Sequence, residues 1–307
     1  MSEGKPVVIL GVFAADTSFR APRQPNMGET LLGSAFTLGP GGKGSNQAVA
    51  CARAGGDVHF ITRLGQDAFA DMALALWRDA GITPAVTQHA DSYTGAAYIF
   101  LEEATGDNAI IVCPGAAADL SQSDLEANRA LIEGAGVFVT QLEQPLNAAL
   151  RGLQIARGAG VTTILNPAPA TDLSDELLAC CDWITPNESE AEGLTGIRVE
   201  TLEDAKRAAA ALRARGVGAA IVTLGSRGVL LSDGRQDVHL PAMAPGPVAE
   251  TTGAGDAFNG GFAAALARGL DPVAAARFGC ATAGISVTRK GAADSMPTRA
   301  EVEALLG

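Results

Sequence analysis

One short stretch of the sequence places unpaired backbone amides beside a carboxylate. Residues 250–260 read ETTGAGDAFNG, and a helix of small apolar residues is predicted from Ala257 to Arg268. The first turn of a helix leaves several N–H groups without intrahelical partners and carries the positive end of the peptide dipoles. The amides of residues 253–255 would therefore bind an anion, and Asp256 would stand beside it as a base. Transfer of a phosphate group to a hydroxyl requires this combination.

The same stretch also fits a purely conformational role. Glycine is common in tight turns and aspartate is common as a helix N-cap, and neither needs a ligand to explain it. The other segments of the chain decide between the two interpretations.

Composition excludes several classes of protein. The chain has 307 residues, of which 47% are apolar, so it is long enough for one large α/β domain and too apolar to be disordered. Its formal net charge of −12 argues against general nucleic-acid binding, which needs a basic face. No signal segment opens the sequence, and no apolar run approaches the ~20 residues of a membrane helix. We therefore expect a cytoplasmic protein that binds neither nucleic acid nor membrane.

The cysteines show no paired metal-ligand spacing and lie mostly in apolar surroundings. This pattern predicts buried, reduced thiols rather than a metal site or disulfides. The five are Cys51, Cys113, Cys180, Cys181 and Cys280.

Short β-type runs alternate with longer helical stretches along most of the chain. The predicted strands are Val7–Phe13, Val58–Arg63, Val137–Thr140, Val161–Leu165, Trp183–Thr185, Ala220–Leu224 and Val229–Ser232. The predicted helices include Gln66–Ala80, Leu146–Ala159, Leu202–Arg215 and the helix after the glycine-rich turn. The alternation predicts an α/β fold with a mostly parallel sheet and helices on both faces. Ligands bind such sheets at the carboxyl ends of the strands.

Two segments break the alternation and are predicted to be β-rich. Residues 17–38 contain Gly, Pro and short extended runs without a convincing helix. Thr94–Leu101 and Asn108–Cys113 flank a turn-like segment and are predicted to form a hairpin. We expect a single domain over residues 1–307, with a small β lid from about 14–38 and 93–114 lying over the strand ends.

A second glycine-rich site covers residues 39–47, GPGGKGSNQ, ahead of a helix predicted from Ala48 to Ala54. It contains G-x-G-x-x-G, but a dinucleotide fingerprint should close the first strand and precede an acidic residue by ~20 positions. The first strand is followed by Asp16 instead, and no acidic residue ends the next strand. A Walker A loop is also excluded, because Gly44 follows Lys43 where Ser or Thr is needed. A Rossmann dehydrogenase is therefore disfavoured.

Polar side chains around this site suit a polyhydroxylated ligand. Buried hydroxyls need both donors and carboxylate acceptors. Lys43 and Asn46 are candidate donors, and Asp16 and Glu143, each placed after a predicted strand, are candidate acceptors. Either carboxylate taken alone also fits a solvated loop position.

Two further segments fit either structural or nucleotide-binding roles. In ITPNESE, residues 184–190, Asn187 opens a helix with Glu190 three residues later, which is a capping-box pattern. The functional alternative has Asn187 facing phosphate and Glu190 holding the water shell of a magnesium ion. In TLGSRG, residues 223–228, the glycines suit a hairpin turn or would line the path of a triphosphate and ribose.

These sites occur in the order of one known pattern. The chain resembles the ribokinase, or PfkB, family of carbohydrate kinases along nearly its whole length. The resemblance is carried by GGKGSNQ (41–47), QLE (141–143), NPAPA (166–170), ITPNESEAE (184–192), TLGSRG (223–228), GAGDAFNG (253–260) and VTRKGA (287–292). It implies ATP-dependent phosphorylation of the primary hydroxyl of D-ribose, with ATP and Mg²⁺ as cofactors and a monovalent cation, usually K⁺, as activator.

The resemblance also implies roles for individual residues. Asp256 would be the catalytic base, and the amides of Gly253, Ala254 and Gly255 would form the anion hole. The sugar-binding positions are Asp16, Gly42, Lys43, Asn46, Glu143 and Asp256. The ATP-binding positions are Asn187, Thr223, Leu224, Gly225, Ser226, Arg227, Gly228, Gly255 and Cys280. Glu190 corresponds to the position that holds Mg²⁺ through water, and the K⁺ positions are Glu250, Thr252, Ser286, Arg289, Gly291 and Ser295.

Two positions depart from the family pattern. Glu250 stands where the family usually has Asp, and its side chain is one methylene longer. Ala14 stands where an Asn-x-Asp motif is expected, so one polar contact to a sugar hydroxyl is missing, at a cost of ~1–3 kcal/mol for that group. Either a water or another residue compensates, or the preferred sugar lacks or reorients that hydroxyl, as in a 2-deoxy pentose.

Ribose is the expected substrate, and 2-deoxyribose, another small sugar or a nucleoside is the alternative. A non-catalytic regulator that binds sugar or nucleotide is an alternative of a different class, against which the presence of both Asp256 and the glycine-rich turn argues. The flaps of this family often pair between subunits and close over the sugar to exclude water, so a homodimer is expected.

Overall fold

A computed structural model describes residues 4–307 of the chain. The strands in that range are β1 (Val7–Leu10), β2 (Ala14–Ala21), β3 (Ala35–Gly41), β4 (Val58–Gly65), β5 (Thr83–His89), β6 (Thr94–Glu102), β7 (Asn108–Gly115), β8 (Val137–Thr140), β9 (Thr162–Leu165), β10 (Trp183–Ile184), β11 (Ala219–Thr223), β12 (Val229–Ser232) and β13 (Asp237–Leu240). The helices are α1 (Lys43–Arg53), α2 (Ala68–Ala80), α3 (Gln122–Ala127), α4 (Arg129–Glu133), α5 (Leu146–Gly158), α6 (Asp175–Leu178), α7 (Glu188–Thr195), α8 (Leu202–Ala214), α9 (Ala254–Ala267), α10 (Pro272–Ser286) and α11 (Arg299–Leu306).

Nine of the strands form one sheet in the order β13-β12-β11-β10-β9-β8-β1-β4-β5. Every pair from β11 to β5 is parallel, whereas β12 and β13 extend one edge by antiparallel pairing. Parallel neighbours need long crossover connections, which helices supply here and which produce the alternation seen in the sequence. The prediction of an α/β fold with a mostly parallel sheet is confirmed.

Helices cover both faces of this sheet, as the surroundings of β1 demonstrate. Val7 and Ile9 lie in one apolar core and Val8 and Leu10 in another, because successive side chains of a strand point to opposite faces. The first core includes residues of α1, α2, α9 and α10, and the second includes residues of α3, α5 and α8. The two cores hold β1 and β8 in place, so that the carboxyl ends of these neighbouring parallel strands lie side by side.

The predicted β-rich segments form a second, four-stranded sheet in the order β3-β2-β6-β7. In it β2 is antiparallel to β3 and parallel to β6, and β6 and β7 form the predicted hairpin. The predicted first strand, Val7–Phe13, is wrong at its end, because the chain leaves the main sheet at Gly11 and enters the second sheet at Ala14. Asp16 therefore lies on β2 rather than in a loop.

Helix α1 begins at Lys43 rather than at the predicted Ala48. Gly42 precedes it with a φ of 86°, a conformation that residues with a Cβ avoid. Lys43 and Asn46 therefore belong to the first turns of a helix and not to a loop. The sequence prediction also missed β5 and β13, which lie at the two edges of the main sheet and are only partly buried.

All five cysteines are unpaired, but they are not all buried. Cys51, Cys181 and Cys280 are buried as predicted, and Cys180 is half-buried. The prediction is wrong for Cys113, which is exposed because β7 is an edge strand of the smaller sheet with most of its side chains in solvent.

Between residues 4 and 307, none of the helices combines the length and the apolar character that crossing a membrane would require.

Candidate active site

The glycine-rich turn before α9 forms a helix N-terminus with unpaired amides. Gly253 caps the helix with a φ of 76°, so α9 begins at Ala254, three residues earlier than predicted. The N–H of Ala254 donates to the Thr251 carbonyl at 3.2 Å, while in the described chain the N–H groups of Gly255 and Asp256 donate to no backbone carbonyl. Unpaired amides at the positive end of a helix bind anions.

Asp256 is the third residue of α9 and is only 8% exposed. Each of its carboxylate oxygens accepts an amide hydrogen bond: Asn46 Nδ2 donates to Oδ2 at 3.1 Å, and Gln47 Nε2 donates to Oδ1 at 3.0 Å. Burial raises the pKa of Asp256, whereas the charge of Lys43 and the two amide donors act in the opposite direction. A carboxylate with raised proton affinity and a fixed orientation is suited to act as a general base.

Close backbone contact places the start of α1 beside the end of β1. A Cβ added at Gly44 would lie 2.6 Å from Gly11 Cα, so neither position has room for a larger residue. The backbone N–H of Lys43 donates to Glu143 Oε2 at 2.8 Å and joins α1 to the segment after β8. The second glycine-rich site and Glu143 therefore meet at the carboxyl ends of the strands, although Lys43 and Glu143 are 100 positions apart in the chain.

Four carboxyl groups lie close enough to Lys43 for its charge to lower the pKa of each of them. They are Asp16, Glu143, Glu190 and Asp256. Burial acts more strongly in the opposite direction: it is the largest cause that raises the pKa of Asp16 to about 6 and of Glu143 to about 7. A ligand that donates hydrogen bonds to these carboxyl groups would favour their charged forms.

Two acceptors of this cluster lack protein donors. The pKa of Asp16 responds to burial and to neighbouring charges, with no hydrogen bond among its causes. A Cβ at Gly41 would lie 2.1 Å from Asp16 Oδ2, so this glycine makes room for the carboxylate. Asn46 Oδ1 is buried without a partner in the described structure. Unsatisfied acceptors in a buried cluster suit a ligand rich in hydroxyl groups.

Two joined cavities meet at the turn before α9. The inner cavity, of about 180 Å³, is lined mainly by polar residues, among them Lys43, Glu190 and Asp256. The outer cavity, of about 340 Å³, is lined mainly by apolar residues. Both cavities are bordered by Thr223, Thr251, Ala254 and Gly255. An elongated ligand in the outer cavity would therefore reach Asp256 along the unpaired amides.

Most residues predicted to bind nucleotide line the outer cavity. They are Thr223, Gly225, Ser226, Gly228, Gly255 and Cys280. Leu224 and Arg227 do not, although they lie in the same hairpin turn between β11 and β12. Leu224 is buried beneath the turn, and the Arg227 guanidinium donates to the Glu200 carbonyl and to the Glu188 carboxylate. Successive residues of a tight turn point in different directions, so only some residues of a contiguous sequence motif can line the cavity.

Asn187 and Glu190 form the predicted capping box and also line the inner cavity. Asn187 Oδ1 accepts from the Glu190 N–H at 2.8 Å, and Glu190 Oε2 accepts from the Asn187 N–H at 2.9 Å. These bonds leave Asn187 Nδ2 and Glu190 Oε1 available, so the structural and the ligand-binding roles are compatible. In residues 4–307 no three His, Cys, Asp or Glu side chains cluster as a metal site.

The residues predicted to bind a monovalent cation come together only in part. Glu250 Oε2 accepts from the Gly291 N–H at 3.0 Å, which joins the segment before α9 to the segment after α10. The Arg289 guanidinium turns away from this contact and binds the Glu301 carboxylate. The other three are Ser286 and Ser295, which are buried, and Thr252, which is exposed.

Five residues of the site lie within or beside the sequence motifs but received no role from the sequence. Gln47, Gln141 and Asn166 form a buried amide cluster behind Asp256, and Thr251 and Asn259 border the inner cavity. The signal that could have found them is their membership of glycine-rich or strand-end motifs. Which members of a motif face the ligand depends on helix packing, which the sequence does not display.

The fold and the paired cavities define a class of enzyme. A polar cavity rich in hydrogen-bond acceptors opens past an anion-binding helix N-terminus into an apolar cavity, as in a kinase that phosphorylates a hydroxyl compound. The chain belongs to the PfkB family of carbohydrate kinases, because the model of that family, described as pfkB family carbohydrate kinase, matches residues 5–299.

Individual relatives match along nearly the whole chain. The chain is 40% identical over 298 residues to the ribokinase of Haemophilus influenzae, with 97% of each chain covered. It is 36% identical over 294 residues to the deoxyribokinase of Salmonella typhi, with 95% of each covered. The solved structure of Arabidopsis thaliana ribokinase complexed with ribose and ATP matches with a TM-score of 0.90 and 32% identity, with 99% of each chain covered. These matches confirm the predicted family and fold.

Proposed function

We propose that this chain transfers the γ-phosphate of ATP to the primary hydroxyl of D-ribose and releases ribose 5-phosphate and ADP. The observation that carries the proposal is the position of Asp256, which lies on the inner cavity beside the unpaired amides that lead to the outer cavity. The similarity to the ribokinase of Haemophilus influenzae and to a ribokinase structure holding ribose and ATP supports this choice of substrates.

In the proposed reaction Asp256 accepts the proton of the sugar hydroxyl. The hydroxyl oxygen forms a bond to the γ-phosphorus while the bond from that phosphorus to the β–γ bridging oxygen of ATP breaks. Negative charge builds on the transferred group and on the leaving ADP, and the N–H groups of Gly253 and Gly255 would stabilise it. The Ala254 N–H would join them only by leaving the Thr251 carbonyl, to which it donates in the structure. Donors of this kind contribute a few kcal/mol each in comparable sites.

The sugar would be held by the cluster around Lys43. The Asp16 and Glu143 carboxylates would accept hydrogen bonds from hydroxyl groups, and Asn46 Oδ1 would gain the donor that it lacks. The Lys43 ammonium would donate to a sugar oxygen. Gly42, which has no Cβ and so packs closely against the backbone of residues 12–14, would contact the sugar through its main chain. Such a site discriminates sugars by whether every buried polar group finds a partner.

The nucleotide would lie along both cavities. The apolar lining of the outer cavity, which includes Cys280, suits the adenine base. Asn187 and Thr223, which line the inner cavity, would contact the phosphates. Glu190 would hold Mg²⁺ through water, and the ion would neutralise charge on the phosphates. Glu250 and Gly291, together with nearby carbonyl groups, would hold the activating monovalent cation.

The four-stranded sheet would act as a lid and as the contact between two subunits. Asp16 on β2 faces the inner cluster, and motion of this sheet would bring it onto the bound sugar and exclude water.

Phe19, Phe36 and Ile111 of the same sheet are exposed apolar residues, which a second copy of the chain would cover. Sedimentation of the purified chain would distinguish a homodimer from a monomer.

A second substrate, 2-deoxyribose, is favoured by one observation. Ala14 is 3% exposed and lies two residues before Asp16 on the same face of β2. Its methyl group offers no hydrogen bond to a sugar hydroxyl, so a sugar that lacks one hydroxyl would leave fewer groups unsatisfied. The similarity to the deoxyribokinase of Salmonella typhi supports the same alternative.

The test is steady-state ADP formation with ribose, 2-deoxyribose, fructose and adenosine under identical conditions. We expect kcat/KM to be highest for ribose, and Ala14→Asn to increase the ratio of ribose to 2-deoxyribose by about tenfold or more. If the wild type shows a much higher kcat/KM for another of these compounds, that compound is the substrate and the ribose assignment is wrong. If none of them stimulates ATP consumption, the enzyme proposal fails and a sugar- or nucleotide-binding regulator takes its place.

A further inference from the structure

Gln47 lies fully buried behind the carboxylate of Asp256 and has no direct access to either cavity. Its Nε2 donates to Asp256 Oδ1 at 3.0 Å and to Asn166 Oδ1 at 3.0 Å. Its Oε1 accepts from Gln141 Nε2 at 2.7 Å. Both amide protons and the amide oxygen of Gln47 are therefore used within the protein.

A backbone carbonyl fixes the direction of this amide chain. Asn166 Nδ2 donates to the Thr185 carbonyl at 3.2 Å, and a carbonyl can only accept. Asn166 must therefore present its oxygen to Gln47, and Gln47 must present its NH₂ group. The second proton of that NH₂ group then points at Asp256. The Gln47 amide cannot rotate by 180° without losing both donor bonds and setting its oxygen against a carboxylate.

We propose that Gln47 is a positioning residue that holds the Asp256 carboxylate in its charged, correctly rotated form for proton abstraction. The inference rests on the proposed role of Asp256 as the base and adds a residue that contacts neither sugar nor nucleotide. Asn46 Nδ2 already donates to Oδ2, so the bond from Gln47 Nε2 to Oδ1 fixes the second oxygen. With both oxygens held, the plane of the carboxylate is set.

The packing of α1 on α9 makes the contact possible. A Cβ added at Gly260, one helical turn after Asp256, would lie 2.5 Å from Ala50 Cβ and 2.6 Å from the Gln47 carbonyl oxygen. Glycine at this position therefore lets the two helices approach until the Gln47 side chain reaches the carboxylate.

Other charged groups near Asp256 also influence whether its carboxyl is charged. Lys43 on α1 favours the charged form. Asp16 on β2, Glu143 after β8 and Glu190 on α7 are the carboxyl groups whose negative charge opposes it. A substitution at Gln47 leaves all four in place, so a change in the ionisation of Asp256 in that variant reports the amide bond.

The experiment measures kcat against pH from about 5 to 9.5 at saturating sugar and MgATP. Gln47→Met keeps the length of the side chain and removes the donor to Oδ1. Loss of a hydrogen bond to a charged carboxylate raises its pKa, so the acid limb of the profile should move upward by about one pH unit. The variant should lose about tenfold in kcat near neutral pH, recover part of it at high pH, and keep KM for both substrates within about threefold.

Gln144→Met is the matched control. Gln144 is also a buried glutamine, but its Nε2 bonds Thr140 Oγ1 and the Gln141 carbonyl and does not touch Asp256. This variant should leave the midpoint of the acid limb unchanged. Gln141→Met, which removes only the donor to Gln47 Oε1, should move the midpoint in the same direction as Gln47→Met but less, and it serves if Gln47→Met does not fold.

The outcomes separate the two proposals. If Asp256→Asn abolishes turnover while Gln47→Met and Gln141→Met leave the acid limb where it is, the positioning role is overturned and the base stands. An equal shift in Gln144→Met would also overturn it, because a general disturbance of the core would then explain the effect. If Asp256→Asn retains turnover, the proposed base itself fails.

Discussion

Asn46 and Asp256, 210 positions apart in the chain, are joined by a hydrogen bond of 3.1 Å between Asn46 Nδ2 and Asp256 Oδ2. The bond connects the first turn of α1 to the first turn of α9. Asn46 Oδ1 remains free on the other side of the amide. One amide thus contacts the proposed base and would present an acceptor to the proposed sugar, so in this proposal sugar binding and proton abstraction share a single residue.

Substitution of Gly255 should separate turnover from stability. A Cβ added there meets no protein atom within 4 Å, and the residue borders both cavities. Gly255→Ala should therefore fold with a melting temperature equal to or slightly above that of the wild type, since alanine favours the helix, while its methyl group displaces the phosphates and lowers kcat by about 100-fold. Thermal unfolding and steady-state kinetics on the same preparation measure both effects. Unchanged kcat would show that the transferred phosphate does not pass along this turn.

Substitution of Gly260 should have the opposite result on stability. The added Cβ would lie 2.5 Å from Ala50 Cβ, in the tightest part of the contact between α1 and α9. Overpacking of this kind costs about 1–3 kcal/mol, so Gly260→Ala should lower the free energy of unfolding by that amount. The control is Gly193→Ala in α7, where a Cβ meets nothing within 4 Å and helix propensity should stabilise by up to about 1 kcal/mol. Equal effects in urea unfolding would contradict the packing account.

The carboxyl of Asp16 should make the stability of the free protein depend on pH. Burial, followed by the charge of Asp256, raises the pKa of Asp16 from 3.8 to about 6. The folded state therefore binds more protons than the unfolded state between about pH 4 and pH 6, and the free energy of unfolding falls as pH rises through this range. Asp16→Asn should remove this loss, so it should raise the melting temperature above pH 6 and change it little at pH 4.

The matched control for Asp16→Asn is Asp237→Asn, because Asp237 is exposed on the edge strand β13. It should leave the difference between pH 4 and pH 8 unchanged. Asp16→Asn should also weaken sugar binding, because the substitution removes a carboxylate that would accept hydrogen bonds from sugar hydroxyl groups. If the melting temperature of Asp16→Asn does not exceed that of the wild type above pH 6, the surroundings of Asp16 do not disfavour its charged form.

The fold could be predicted because its signals are local. β8 occupies the predicted Val137–Thr140, and the capping box of α7 begins at the predicted Asn187, since apolar runs and capping residues act over a few positions. The ends of β1 and the starts of α1 and α9 could not, because they depend on glycines with positive φ and on close contacts between distant segments.

The sequence could nominate the main residues of the candidate site but not the buried amides behind them. Lys43, Asn46 and Asp256 lie in glycine-rich motifs that marked them as candidates, and the family resemblance implied their roles. Gln47 and Asn166 lie in the same motifs, yet their part in the amide chain follows only from the crossing of α1 over α9 and from the Thr185 carbonyl. Arg227 shows the opposite error, since it is in a motif but faces away from the cavity.

Replacement of Asp256 by asparagine tests the central proposal most directly. Asparagine keeps the shape of the side chain and removes the base, so kcat should fall by about 100-fold to 10,000-fold. Calorimetric binding of ribose and of ATP should change little, because the other members of the cluster remain in place. Turnover within tenfold of the wild type, with both ligands still bound, would contradict the assignment of Asp256 as the base.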